Sequence, residues 1–512
     1  MPMCLMRGHR TMIIDISPDV WIRGFSIQVK IVAGQFRSLG QEFESGQIVS
    51  ISTDMVAEGG SPDDETNSAV GDLSCSPLRS RFIQGSVWVI GGHVVGHLLR
   101  LANSLILTRM LAPEYYGQMF LVHMVVLVAN LFSDFGLRGS VIQHQRGDEH
   151  AFLNTIWTIQ VIRGVILWLA LCAVAWPVSW FYEEPALLHL IPVVGLSAIF
   201  LGFASTSRMT LSRHVRPGVQ VMVDLFGQLL ALGLMVVWAW QSKTVWPLVG
   251  GAVFGAAFKC LSSYALIPGY RVRFAWDRTA AIEIYHFGKW IFIGTSLHMI
   301  LMMAPRAALG KIMIGDLELI GALSIAFMLS QTVLQAMQRM AHEVLFPVYA
   351  RLDAKHGAAA FRDRIIKVRA VLLALALPPL WVLAVFGEAI IDLFYDQRYT
   401  EAGWMLQILV VGTIGAVINL TAERVALARG DSKRPMIVQF FRVILLVVAL
   451  FIGARLGDAM GMLLGMAVAR LVDYPVVAWM VRCHNAWLWR LDLLAYGLSA
   501  AVIGAGLWLT GG

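Results

Sequence analysis

Long apolar segments separated by short polar connections fill the chain from residue 82 onward. A helix of about 20 apolar residues spans the hydrocarbon core of a bilayer, whereas buried helices of water-soluble proteins are usually shorter. Segments of this kind lie near 82–107, 115–136, 152–180, 186–206, 219–240, 244–267, 287–312, 318–338, 367–387, 404–422, 435–454 and 458–481, with a weaker thirteenth near 493–510. The pattern predicts an all-α polytopic membrane protein with twelve or thirteen transmembrane helices.

The composition agrees with this class and excludes others. Hydrophobic residues make up 58% of the chain and charged residues 14%, with a mean hydropathy of +0.68, which is incompatible with a water-soluble globule. The formal charge of +7 could suggest nucleic acid as a partner. However, Lys and Arg occur in short clusters between the apolar segments, so we expect membrane lipids and no nucleic acid. The five cysteines form no CxxC pair, and no metal site or cofactor is predicted.

The basic clusters predict an orientation. Cytoplasmic connections of membrane proteins are enriched in Lys and Arg. Alternate connections hold most of these residues here, and the others contain few. The connections assigned to the cytoplasm contain Arg138, Arg146, Arg208, Arg213, Arg216, Arg271, Arg273, Arg278, Arg351, Lys355, Arg362, Arg364, Lys367, Arg424, Arg429, Lys433, Arg434, Arg482 and Arg490. We therefore expect a multi-pass membrane protein with a cytoplasmic amino terminus.

Four regions follow from these patterns. Residues 1–80 are polar and rich in turn formers, which predicts either a disordered cytoplasmic extension or a start codon placed too early. Residues 81–270 and 271–485 each contain six apolar segments, and residues 486–512 could add one helix. The arrangement predicts two six-helix bundles around a central cavity, and a parallel duplication would place a substrate site between them.

The two series of six also share local features. Trp88 precedes Arg109 by 21 residues in the first segment, and Trp290 precedes Lys311 by the same number in the seventh. The connections that follow, TRMLAPEYYG and GKIMIGDLELIG, are similar in layout. Glycines at four-residue spacing in GDAMGMLLG predict close helix packing rather than a nucleotide site.

Three stretches carry a family resemblance: GSVWVIGG, LTRMLAPEYYGQM and LFSDFGLRGSVIQ. In this order they resemble the opening of Wzx-type oligosaccharide flippases, polysaccharide biosynthesis membrane proteins of the multidrug/oligosaccharidyl-lipid/polysaccharide exporter superfamily. The turn at Leu107–Gly117 departs from the family pattern at Thr108 and Met110, while Ser133–Leu137 keeps it. The resemblance implies two bundles of six helices in a bacterial inner membrane, and movement of a prenyl-diphosphate-linked oligosaccharide to the outer leaflet for lipopolysaccharide or exopolysaccharide. Glycosyltransferases or a polymerase of the same pathway would be partners.

A diphosphate crossing the membrane needs cations that face a hydrated cavity. Arginine suits this role because it stays protonated and donates in pairs to phosphate oxygens. Arg100 and Arg306 lie in the leading segments of the two halves, and Asn103 lies within one turn of Arg100, so we assign these three to diphosphate binding. Further cavity-lining candidates are Arg163, Lys259, Gln331, Gln335, Arg442 and Arg470. The charged members of this second group could instead pair with Asp224, Glu423 or Asp473, or extend to the membrane surface.

Two other functions remain open at this stage. The chain could be a cation-coupled multidrug or metabolite exporter of the same superfamily, or a scaffold that recruits glycosyltransferases through the basic connection around Arg362. The sequence has no P-loop and no connection long enough for a catalytic domain, and we predict that the protein is not an enzyme. His93 and His97 favour a packing or proton-linked role over a metal site.

Overall fold

A computed structural model describes residues 77–132, 137, 141, 146, 149–213, 217–265, 272–341, 358–428, 431, 433–484 and 486–510. The regular secondary structure within these ranges is helical. The predicted polar region 1–80 therefore lies almost entirely outside the described residues. The helices are α1 Pro77–Met110, α2 Pro113–Phe132, α3 His150–Tyr182, α4 Leu187–Phe203, α5 Pro217–Gln241, α6 Trp246–Ala265, α7 Arg278–Ile312, α8 Leu317–Met340, α9 Ala358–Phe394, α10 Ala402–Ala428, α11 Lys433–Val472, α12 Tyr474–Arg482 and α13 Trp489–Thr510. Short helical connectors lie at Ser207–Arg213 and Gln397–Tyr399.

Local sequence fixes where several helices begin. Proline is the first residue of α1, α2 and α5. A backbone N–H at the first position of a helix has no acceptor within the helix, so its absence in proline costs no hydrogen bond there. Aspartates cap the amino-terminal ends of α7 and α8. The Asp277 side chain accepts a hydrogen bond from the Thr279 amide at the start of α7, and the Asp316 side chain accepts one from the Leu319 amide at the start of α8. The same amide bond to Thr279, together with Arg146, lowers the pKa of Asp277.

Every segment that the sequence pattern predicts overlaps a described helix. By length and composition, eight helical stretches in the described ranges are able to cross a membrane: His150–Tyr182, Gly218–Gln241, Trp246–Ala265, Leu317–Met340, Ile365–Phe394, Ala402–Ala426, Lys433–Arg482 and Trp489–Leu509. The coarse prediction of an all-α membrane protein is confirmed. The count of twelve or thirteen crossings is not confirmed, because eight stretches in the described ranges meet this criterion.

The helix α11 contains two of the predicted segments in one element. Its backbone is non-helical at Gly457 and Asp458, where Asp458 has a φ of 48°. Across this point the chain folds back on itself, since a Cβ added at Gly453 would lie 2.3 Å from the Gly461 carbonyl oxygen. A Cβ at Gly465 would lie 2.5 Å from that of Ala449. The predicted close packing is confirmed for Gly461 and Gly465, whereas Gly457 lies in the reversal.

The connected ends of α1–α2 and α7–α8 meet in a symmetric contact, which we call the clasp. A Cβ added at Gly117 would lie 2.2 Å from the carbonyl oxygen of Leu317, and one at Gly321 would lie 2.2 Å from that of Pro113. Only glycine permits such an approach of two helix backbones. Gly117 and Gly321 are the last residues of the two similar connections, so the likeness noticed in the sequence corresponds to a paired contact.

Reciprocal bonds at the ends of α3 and α9 extend the clasp. Lys311 of α7 donates to the carbonyl oxygen of Phe181 at 2.6 Å, and Arg109 of α1 donates to that of Phe394 at 3.4 Å. In each case the tyrosine that follows also reaches across: the Tyr182 hydroxyl donates to the Ala307 carbonyl, and the Tyr395 hydroxyl bonds that of Ser104. Equivalent positions of the two series therefore make equivalent contacts.

At the opposite end of the helices, which we call the basic end (Arg146, Arg208, Arg278 and Arg434), one arginine joins two regions. Arg146 forms ion pairs with Glu149 beside α3 and with Asp277 and Glu283 at the start of α7. The last helix, α13, is held by a fully buried pair between Arg369 of α9 and Asp492. Removing one partner of a buried ion pair strongly lowers the stability of a protein, because the other charge is then buried alone. This pair therefore fixes α13 against α9.

Candidate functional site

A cavity of about 500 Å³, the central cavity, opens between α1, α2, α6, α7 and α8 next to the clasp. Its volume lies in the range of small-molecule sites. All three residues assigned to diphosphate binding from the sequence line it, namely Arg100, Asn103 and Arg306. The structure thus brings together residues that are separated by about two hundred positions in the chain.

Arg306 is held by apolar and aromatic neighbours. Its guanidinium carbon lies 5.2 Å from the centre of the Phe327 ring, and Nη1 lies 4.0 Å from the sulfur of Met303. Its Nε is buried and has no hydrogen-bond partner in the described part of the chain. A buried donor left without a partner is costly, so an acceptor that bonds this Nε would stabilise the protein.

Arg100 is more accessible than Arg306. It donates to the carbonyl oxygen of Gly96 at 3.3 Å, and its Nη2 lies 3.3 Å from Nδ1 of His97, the two contacts fixing the stem of the side chain along α1. The side chain of His93 lies outside the described residues. His97 is thereby placed beside an arginine, which is a poor setting for a metal cation.

Neutral polar atoms complete the lining. Oδ1 of Asn103 and the hydroxyl of Tyr116 are buried and have no partner among the described residues. Tyr116 packs edge-on against Tyr399, with ring centres 5.9 Å apart, so its ring closes the cavity on the clasp side. The cavity therefore offers charged donors from the arginines, a neutral donor from the Tyr116 hydroxyl and a neutral acceptor from Asn103 at one place.

The charge of the central cavity is one-sided. Its described lining contains two arginines and no aspartate or glutamate. In a low-dielectric region such an arrangement attracts anions and repels cations over several ångströms. This imbalance is the main chemical property of the site.

The other sequence candidates lie elsewhere. Arg163 lines a cavity of about 300 Å³ and donates to the carbonyl oxygen of Asn130 at 3.0 Å, and Lys259 is exposed at the edge of another of about 440 Å³. Gln331 is buried in α8, whereas Gln335 is exposed. These four do not line the central cavity.

Arg442 and Arg470 line a fourth space of about 400 Å³, which we call the C-terminal cavity (Gln338, Glu423, Arg424, Gln439, Arg442, Arg470 and Asp473). Pairing is confirmed for Arg442, which binds both Glu423 and Asp473. It is not confirmed for Arg470, whose hydrogen bond goes to the Thr413 hydroxyl at 3.4 Å. Asp224, the third acid considered, pairs with Arg208 at 2.8 Å and not with a member of the predicted group.

Sequence reasoning missed several lining residues. Tyr116 and Phe327 looked like ordinary apolar positions, because nothing in the chain shows that their helices face each other. Arg424 of the C-terminal cavity is assigned to a cytoplasmic connection by the sequence pattern. Arg339 lines neither cavity, but its Nη1 is buried without a partner in the described ranges and its charge acts on Arg100, which the sequence pattern does not indicate. Arg424 and Arg339 lie near the ends of α10 and α8. A basic residue at the end of a helix is normally expected to be exposed to solvent.

The described part of the chain is apolar and helical, and the described lining of its central cavity contains two arginines and no acid. The model of a polysaccharide biosynthesis protein family matches residues 106–403. The chain belongs to this family, and the family prediction made from the sequence is confirmed.

Individual relatives are distant but extensive. The chain is 22% identical to the lipopolysaccharide biosynthesis protein WzxC of Escherichia coli (strain K12), over 77% of this chain and 80% of that protein. It is 18% identical to the teichuronic acid biosynthesis protein TuaB of Bacillus subtilis (strain 168), over 82% and 85% respectively.

Solved structures show the same fold. A multidrug resistance MATE family transporter of the MOP superfamily in an inward-facing conformation matches with a TM-score of 0.59 at 13% identity, covering 80% of this chain and 94% of that one. The lipid II flippase MurJ in an inward closed conformation also matches with a TM-score of 0.59, at 12% identity over 84% and 93%. At these identities the likeness concerns the arrangement of helices alone.

Proposed function

We propose that this protein flips a prenyl-diphosphate-linked oligosaccharide across the bacterial inner membrane by alternating access. Arg100 and Arg306 hold the diphosphate, and Asn103 donates its side-chain amide N–H to it. The observation that carries the proposal is the charge of the central cavity: two arginines, no acid in its described lining, and a buried Arg306 donor with no partner there. The translocation of an intact lipid requires no catalytic residue.

The relatives support this assignment. WzxC and TuaB are named for the biosynthesis of lipopolysaccharide and of teichuronic acid, both of which are assembled from sugars, and MurJ is named for flipping lipid II. A sugar polymer that is built inside a cell and used outside needs a step that moves its precursor across the membrane. The fold, the family and the cavity charge agree on that step.

The proposed orientation in the membrane also implies which side of the central cavity is closed. Positive charge marks the basic end as cytoplasmic, which places the clasp at the outer face. The clasp joins the two halves, so the conformation described here is closed outward, and the substrate enters the central cavity from the cytoplasmic side. Twelve helices then form two six-helix bundles, with α13 as an additional helix of the second bundle.

The alternative functions fit less well. A cationic drug would meet two arginines and no counter-charge in the central cavity, at a cost of several kcal/mol in a low-dielectric site. A scaffold would have no use for buried unpartnered donors around a cavity, because each lowers stability without a ligand. The scaffold's basic connection around Arg362 has no described side chain.

The proposal predicts that Arg100→Ala and Arg306→Ala each reduce the export of surface polysaccharide at least about tenfold in cells that depend on this protein, because each removes a charge-assisted bond to phosphate. Surface polysaccharide is measured on cells with equal amounts of the protein in the membrane. Arg455→Ala serves as the matched control, since Arg455 is exposed and contacts only the ring of Phe451 among described groups. Normal export in both cavity variants would refute the assignment of these residues.

A further inference from the structure

The C-terminal cavity is a second polar space that the diphosphate does not occupy in the proposed mechanism. Helices α7, α8, α10 and α11 enclose about 400 Å³. It adjoins the central cavity through α7, where Pro305 faces the C-terminal cavity and the next residue, Arg306, faces the central one. The two cavities therefore lie on either side of the same turn of α7, so a diphosphate at Arg306 has its attached sugars near this second space.

The charges of this cavity do not cancel. Three arginines, Arg424, Arg442 and Arg470, face two carboxylates, Glu423 and Asp473, which leaves an excess of one positive charge. Arg442 binds both carboxylates, so the carboxylate acceptors are already engaged by one guanidinium. Two guanidinium groups are left without a carboxylate of their own.

Those two groups are available to a ligand. Nε of Arg424 is buried and lacks a hydrogen-bond partner within the described ranges, and the described hydrogen bond of Arg470 is the long one to Thr413. Asp473 attracts the charge of Arg470 and Glu423 attracts that of Arg424, but each carboxylate is also the ion-pair partner of Arg442. Arg306 and Arg442 lie within electrostatic range of Arg470, and their like charges oppose its own. A buried cation beside other cations is stabilised when an anion joins it. The cavity thus favours a ligand with one negative charge.

The remaining lining points to a sugar that bears this charge. The amides of Gln338 and Gln439 can both donate to and accept from hydroxyl groups. No Phe, Tyr or Trp occurs in the described lining of the cavity, so a sugar ring cannot stack on an aromatic face there. Recognition must rest on ionic and hydrogen bonds, which suit a carboxylate-bearing sugar better than a neutral one.

We infer that the C-terminal cavity binds a carboxylate-bearing sugar, of the uronic acid class, in the oligosaccharide, with Arg424 and Arg470 as the groups that recognise the carboxylate. The inference rests on the proposed function and specifies its substrate class. The diphosphate offers a similar anionic chemistry, and the experiment must therefore separate the two sources of negative charge.

The test uses two synthetic short-chain prenyl-diphosphate disaccharides that differ in one group: the second sugar is glucuronic acid in one and its methyl ester in the other. Binding to the full-length protein in nanodiscs is measured by titration at low and high salt. We expect wild type to prefer the acid about tenfold, and Arg424→Gln and Arg470→Gln to lose this preference while binding of the ester changes less than about twofold. Arg455→Gln, outside both cavities, should keep the preference.

Several results would overturn the inference. Equal binding of acid and ester by wild type would do so, and so would a uniform loss of both ligands in the Gln variants, which would place the diphosphate in this cavity. If a Gln variant does not fold, Arg424→Lys and Arg470→Lys and the salt series decide, because an ionic preference must survive charge retention and fall at high salt. Flipping of the ester without preference for the acid would reject this inference alone, while the absence of flipping for either lipid would reject the proposed function.

Discussion

Single side chains around the central cavity combine burial with missing partners. Arg306, Asn103 and Tyr116 each keep a polar atom buried without a described protein partner. Such atoms lower the stability of the empty protein, and a ligand that bonds them recovers that loss. Their grouping in one place is a stronger sign of a binding site than any one of them, since isolated unpartnered groups also occur elsewhere in the chain.

This argument gives a prediction for Tyr116→Phe. The lost hydroxyl has no partner in the described structure, so the thermal unfolding temperature should stay the same or rise slightly. The affinity for a prenyl-diphosphate oligosaccharide should fall about three- to tenfold, because the substrate loses one hydrogen bond of about 1 kcal/mol. Calorimetry and ligand titration on the same preparation provide both values.

Tyr496→Phe is the matched control for this change. Its hydroxyl is also buried without a described partner, but Tyr496 packs against Tyr474 and lines neither cavity. The control should leave binding unchanged. An equal loss of affinity in both variants would show that the effect of Tyr116 is indirect.

The charged residues of the central cavity could be predicted from the sequence, but the side chains that surround them could not. Arg100 and Arg306 stand out because a charge inside an apolar segment is expensive and must face a cavity or a partner. Whether such a charge is paired depends on which helices are neighbours, and the chain does not encode this locally. Arg442 and Arg470 illustrate the difference: similar in the sequence, one is bound by two carboxylates and the other by a single hydroxyl.

At the scale of helices, the clasp holds α2 and α8 at a separation that only glycine allows. The contact of Gly117 with Leu317 and that of Gly321 with Pro113 are reciprocal, so a methyl group at either glycine forces the two helices apart. Overpacking of this kind typically costs about 1–3 kcal/mol. The proposed cycle opens this contact in its outward-facing state, and a methyl group there should favour the open state.

We predict that Gly321→Ala shifts the protein toward a conformation with a separated clasp. Spin labels on cysteines at Glu114 and Glu318, which are exposed at the starts of α2 and α8, report the distance in a background without native cysteines. The variant should add a population at longer distance. Gly497→Ala is the control, because a Cβ at Gly497 meets no atom within 4 Å.

An unchanged distance distribution in Gly321→Ala, with unchanged stability, would contradict the role of the glycine contact. A longer distance in the Gly497 control as well would show that general loosening is being measured. The two variants carry the same chemical change, so only their position differs.

The positions of helices were more predictable than their number of crossings. Every predicted apolar segment coincides with a described helix, because a helix in a membrane must satisfy its backbone internally and carry apolar side chains outward. The number of crossings does not follow in the same way, since eight stretches in the described ranges are long and apolar enough to cross a membrane. The reversal within α11 depends on a φ of 48° at Asp458. An aspartate in the sequence does not by itself predict this backbone conformation.

At the scale of the whole molecule, two series of helices make equivalent contacts at the clasp and enclose cavities of different charge. The reciprocal bonds of Lys311 with Phe181 and of Arg109 with Phe394 support a parallel duplication. The central cavity carries only positive groups in its described lining, whereas the C-terminal cavity has a partly balanced network. This division suits a substrate with a diphosphate at one end and a differently charged glycan at the other.

The measurement that tests the account most directly is transbilayer movement of a fluorescent prenyl-diphosphate oligosaccharide in liposomes containing the purified protein. An impermeant quencher reports the fraction of lipid on the outer leaflet. We predict rapid exchange with wild type and with Arg455→Ala, and at least about tenfold slower exchange with Arg306→Ala, as expected for the loss of a buried charge-assisted bond. Exchange no faster with wild type than in protein-free liposomes, or equally fast with wild type and Arg306→Ala, would contradict the central claim.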